Sequence, residues 1–134
     1  MKYYTFLLIT CICLVGCSKE PTRTQLDLVD RLIQEQIDIP YQEPNFNAAK
    51  DILLKNGETV KDATERNKKL YTEIHDFLLA LKNKPYKEKK AWAVEFLEIE
   101  LDGMQRTQKT LEAQDEELEI LIEKRKKWLS TLKK

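Results

Sequence analysis

The chain has 134 residues, 34% of them charged, with 23 basic and 23 acidic side chains and a single His. That balance excludes bulk electrostatic attraction to nucleic acid or to an anionic surface. Three Gly and four Pro among so many charges exclude a turn-rich β architecture and favour long solvated helices.

The N-terminal stretch differs from everything after it. Lys2 is followed by Tyr3 and Tyr4, then by an apolar run from Phe6 to Val15 interrupted only by Thr10, and Gly16-Cys17 closes the segment. A basic start, a short apolar core and a small residue before a cut site are the anatomy of a secretory signal peptide. A spanning helix needs about 20 apolar residues, roughly twice this run, so removal after export is expected.

The closing residues Leu14-Val15-Gly16-Cys17 resemble the lipobox of bacterial lipoproteins. The resemblance implies that the Cys17 thiol receives a diacylglycerol and that cleavage after Gly16 discards residues 1–16. It implies acylation of the new amine, palmitate being a usual chain. Ser18, where Asp commonly signals retention in the inner membrane, implies delivery to the outer membrane of a Gram-negative host, facing the periplasm. One acyl chain, at about 0.8 kcal/mol per buried methylene, anchors marginally, whereas two or three anchor stably. The lipid on Cys17 is the sole covalent group expected, with no other cofactor and no metal.

Cysteine arithmetic narrows the chemistry further. All three cysteines fall within residues 11–17, and Cys11 and Cys13 leave with the leader. The mature part is then expected to hold no disulfide, no thiol nucleophile and no Cys-based metal site. Loss of Lys2 leaves it at a net charge of minus one. Residues 17–21 read as a lipidated tether, and residues 22–134 as a single helical domain.

Thr22-Arg23-Thr24-Gln25 offers a capping box. Leu26, Val29, Ile33 and Ile37 follow at spacings of three and four, with Leu32 widening the face, so a first helix is predicted to about Asp38. Pro40 and Pro44 bracket an extended loop, because each proline keeps its predecessor out of the α region. Asn45 caps the next segment. From it Phe46, Ala49, Leu53, Asn56, Val60, Ala63, Asn67, Leu70, Ile74, Phe77 and Leu81 alternate steps of three and four without a slip, a coiled-coil seam. Asn56-Gly57 is a turn signal inside that seam. A full reversal there disrupts the register, so two roughly collinear helices or one kinked helix are expected. Asn83-Lys84-Pro85 makes the next turn.

The last predicted element is one helix from Tyr86 to Leu132, about 70 Å long at 1.5 Å per residue. Its seam runs Val94, Leu97, Leu101, Met104, Gln108, Leu111, Asp115, Leu118, Ile122, Arg125, Leu129, Leu132. Trp92, Phe96, Ile99 and Gly103 widen the first half, and Leu121 and Trp128 widen the end. Gln105–Glu117 carries little that is apolar. The near half is expected to receive Leu70–Leu81, and the far half the first helix with Phe46–Leu53. The fold class expected is all-α: an elongated antiparallel helical hairpin or coiled coil, with the N-terminal helix as a third member of the bundle.

Candidate sites are few. His75 stands alone, one place off the seam, and one His does not build a metal site. Glu95, Glu98 and Asp102 share a helix face, but acid–base catalysis needs a pocket that raises one carboxyl pKa. Gln108, Asp115, Arg125, Asn56 and Asn67 are polar seam positions, suited to fixing register at a cost in stability. Glu112, Asp115, Glu116, Glu117, Glu119 and Glu123 precede Lys124, Arg125, Lys126, Lys127, Lys133 and Lys134. Cations at a helix C-terminus are favoured by the macrodipole, and Trp128 among them suits a headgroup contact. No Gly-rich phosphate loop, Ser/His/Asp set or HExxH is present, so no enzyme activity and no small-molecule substrate are expected.

The reading that follows is a lipid-anchored periplasmic adaptor or assembly lipoprotein, binding an envelope protein through Gln108, Asp115, Glu116 and Glu117. Lys126, Lys127 and Trp128 form the competing patch for headgroups. Helical pilotins resemble it in size and anchor, though several carry a disulfide absent here. The alternative is an immunity or exclusion lipoprotein that neutralises an incoming toxin or hydrolase.

Overall fold

The computed structural model describes residues 19–111 and 115–134, so Gly16, Cys17 and the leader lie outside the described residues. The described residues form an all-α bundle: α1 (Arg23–Ile37), a 3-10 turn (Phe46–Ala49), α2 (Lys50–Lys55), α3 (Val60–Lys82), α4 (Tyr86–Thr110) and α5 (Glu116–Lys133). The helical class read from composition and periodicity stands, and antiparallel helical hairpin packing is present.

α1 begins where its capping box places it. The Thr22 hydroxyl accepts from the Gln25 N–H at 3.2 Å, and the Gln25 side chain accepts from the Thr22 N–H at 3.0 Å. The apolar stripe behind that cap makes α1 the hub, packed against α3, α4 and α5. Val29, Leu32 and Ile33 are wholly buried, joined by Leu28 from α1, Leu78 and Leu81 from α3, Ala93 and Leu97 from α4 and Leu132 from α5. Each fully buried aliphatic side chain contributes about 1.5–3 kcal/mol. Trp92 and Phe96 stack at 5.1 Å and flank this core with Trp128.

Two predicted elements are corrected. The single helix from Tyr86 to Leu132 is two helices, α4 and α5, folded into an antiparallel hairpin of about 37 Å and 27 Å arms. Asp115 is the N-cap of α5, accepting from the Leu118 N–H at 3.0 Å, and Glu116, Glu117 and Glu119 fill the first turn. Acids belong at the positive end of a helix. The acidic run therefore opens a helix, whereas of the basic run Lys124–Lys127 lie at mid-helix and Lys133 in the last turn. Gln105–Glu117 is poor in apolar residues because it contains the reversal.

The second correction lies at Asn56-Gly57. Asn56 ends α2, Gly57 takes a left-handed φ of 74°, and Thr59 starts α3 with a second capping box through Asp62. Collinear helices place Phe46 about 30 Å from Asn67, yet both line one groove. The chain reverses here. As a result α3 packs mainly on α1, and α4 mainly on α5, rather than α3 lying along one long partner.

Candidate interaction surface

The reversal at Gly57 decides what α3 exposes. Leu78 and Leu81 turn into the core, but Leu70, Ile74 and Phe77, at spacings of four and three, are 52%, 50% and 53% exposed. They form an apolar stripe of about 10 Å along the helix. Two grooves meet at it. One, of about 510 Å³, is lined by Phe46, Ala63, Arg66, Asn67 and Leu70. The other, of about 300 Å³, is lined by Ile39, Pro40, Tyr41, Asn67, Leu70 and Ile74. Asn67 and Leu70 are walls of both, so the predicted seam residue Asn67 sits in a surface cleft.

The rims of this surface are held by specific bonds. The Tyr71 hydroxyl donates to the Ile39 carbonyl at 2.8 Å, pinning the loop after α1 to α3. Tyr41 leans on Tyr71 at 5.2 Å, and His75 stacks on Tyr71 at 5.9 Å. His75 is thus part of an aromatic stack, and no group of His, Cys, Asp or Glu suited to a metal occurs among the described residues. On the other rim Arg66 pairs with Glu58, tying α3 back to the turn.

The polar residues chosen from the sequence are spread over three places. Gln108, Asp115, Glu116 and Glu117 gather at the tip of the α4–α5 hairpin, Asp115 as a cap. Glu98 and Asp102 are paired with Lys133 and Arg106 on an exposed face, and Glu95 is exposed beside them. Lys126 pairs with Glu123 at 2.7 Å. Lys127 lines a groove of about 430 Å³ between α1 and α5, with Asp27, Arg31, Lys124 and Trp128. Trp128 is half-buried, and both Lys124 and Arg125 lie over its ring, at 4.8 Å and 4.4 Å. The structure therefore gives the tryptophan an internal packing role alongside its groove.

Arg125 is the one seam residue with a buried electrostatic task. It is 8% exposed. Its Nη1 lies 3.3 Å from Glu35 and its Nε 3.2 Å from Glu100. The Nε–Glu100 approach is close enough for charge attraction but lacks hydrogen-bond alignment, leaving both atoms without a hydrogen-bond partner among the described residues. Burial pushes the Glu100 carboxyl above its usual range, Arg125 opposes that, and Glu35 adds to it. The cluster ties α1, α4 and α5 together where the core thins towards the hairpin tip.

Comparison with protein-family models, curated proteins and solved structures finds no match to this chain. Its surface must be read from its own chemistry. The sequence did carry the signal for the α3 stripe, as an unbroken seam. What it lacked was any sign that the fold leaves part of that seam uncovered.

Proposed function

We propose that the chain is a lipid-anchored, non-enzymatic binding protein of the bacterial envelope, held by Cys17 at the outer membrane and facing the periplasm. Its working surface is the α3 stripe, and its partner is an envelope protein that presents an amphipathic helix. The observation that carries this reading is the exposure of Leu70, Ile74 and Phe77 beside two grooves. A contiguous apolar patch with polar rims is a common mark of a protein contact. Residues at i, i+4 and i+7 match the way one helix lies against another. The leader and Leu14-Val15-Gly16-Cys17 support the anchor and the compartment.

Two measurements test the two halves separately. Cys17→Ser is expected to leave an uncleaved precursor without lipid; cleavage and membrane fractionation like wild type overturn the anchor. For the surface, a photocrosslinker at position 74 or 77 is expected to trap one envelope protein in cells. The same probe at Glu65 or Thr72, both exposed on α3, is expected to trap none. Equal trapping from all four positions overturns the stripe as the working surface.

A further inference from the structure

The start of α1, the start of α4 and the end of α5 meet at one end of the bundle. The Gln25 side-chain amide donates to the Thr131 carbonyl at 3.0 Å and locks α5 against α1. Between these elements lies a pocket of about 210 Å³ lined by Lys19, Lys90 and Lys134, with Thr22, Tyr86 and a single acidic side chain, Glu20. None of the three lysines forms an ion pair among the described residues. Tyr86 packs against the core beneath this pocket, and its hydroxyl is closed off from solvent. The N-cap of α4 is Pro85, with no side-chain cap, and Glu88 supplies the acidic charge of its first turn.

Position adds to charge. Lys19 is two residues from Cys17, about 7 Å of extended chain, so a lipid on Cys17 brings this pocket into the headgroup layer. The volume falls below the roughly 300–1,000 Å³ usual for small-molecule sites, and suits an anion of headgroup size. We propose that Lys19, Lys90 and Lys134 form a site for a phosphate-ester anion, occupied by the headgroup of an anionic phospholipid beside the anchor. The identity of the occupant rests on the lipoprotein reading; the anion chemistry of the pocket does not.

The experiment uses the full chain, expressed with its leader and purified in a neutral detergent. Intact mass reports first whether Cys17 carries lipid, which tests the lipoprotein reading by itself. Native mass spectrometry then counts adducts of phosphatidylglycerol, of phosphatidylcholine and of inorganic phosphate. Wild type is expected to retain phosphatidylglycerol over phosphatidylcholine. Lys90→Gln with Lys134→Gln is expected to weaken that binding about fivefold per lysine, with the helical circular dichroism unchanged. Lys84→Gln with Lys87→Gln removes the same charge from exposed positions outside the pocket, and is expected to leave binding intact. Retention of inorganic phosphate alone supports the anion pocket and assigns it a soluble source. Equal losses from both lysine pairs, or no anionic adduct on a lipidated wild type, overturn the proposal.

Discussion

Two adjoining stretches of α3 obey the same spacing rule and end in opposite environments. Leu78 and Leu81 are 4% and 5% exposed, whereas Leu70, Ile74 and Phe77 are half exposed. The difference is what stands opposite. The C-terminal end of α3 lies against α1 and the wide face of α4, which supply Leu28, Leu32, Ala93 and Leu97. The earlier turns face the loop after α1 and the short 3-10 turn, where Phe46 and Tyr41 cover part of the groove. Periodicity reports that a helix has an apolar face. It does not report whether the chain has enough of itself left to cover that face.

The sharpest way to break this contrast is to truncate one residue from each stretch or its partner. Leu97→Ala, in the fully buried set, is expected to cost about 3 kcal/mol through lost burial and a residual cavity. Ile74→Ala is expected to cost less than about 1 kcal/mol, because its side chain already meets water on one side. Urea unfolding of the two variants reads the difference directly. Comparable losses mean that the stripe is covered in solution, and the proposed working surface goes with it.

Arg125 sharpens the comparison from the side of the packed bundle. Arg125→Ala leaves Glu35 and Glu100 facing each other near the core, and a cost of about 3 kcal/mol is expected from the uncompensated charge. Glu100→Gln is expected to change stability less, and to alter its pH dependence. The folded carboxyl sits above its ordinary value of 4.5, mainly through burial, so folding draws in a proton between 4.5 and the raised value. Lowering the pH through that window therefore relieves a cost in wild type, and the relief stops below 4.5. In Glu100→Gln that gain is absent. A wild type that loses stability through the same window, relative to Glu100→Gln, contradicts the burial argument.

The smallest expected effect concerns the thinly packed stretch, which depends on local turn chemistry. Gly57→Ala places a Cβ in open space but on a left-handed backbone, a strain of about 1 kcal/mol. Hydrogen exchange is the better readout, with faster exchange expected in residues 46–58 and little change in α1. Uniform acceleration across the whole chain means that the reversal and the bundle unfold as one unit.

Local signals in the sequence proved sufficient wherever the physics is local. The Thr22–Gln25 capping box, the Asn45 cap, the Pro40–Pro44 loop and the turn at Asn83–Pro85 depend on atoms within a few residues of one another, and each lies where its residues place it. The break before Asp115 was equally legible as a cap followed by an acidic first turn. It was masked because Gln108, Leu111, Asp115 and Leu118 keep the heptad spacing across a reversal. Only the tertiary structure decided that α4 pairs with α5, that Arg125 is enclosed by two acids from different helices, and that half of the α3 seam faces water. Those outcomes depend on which apolar face wins a shared partner. That competition is settled by total burial over the whole chain, which spacing along one segment does not contain.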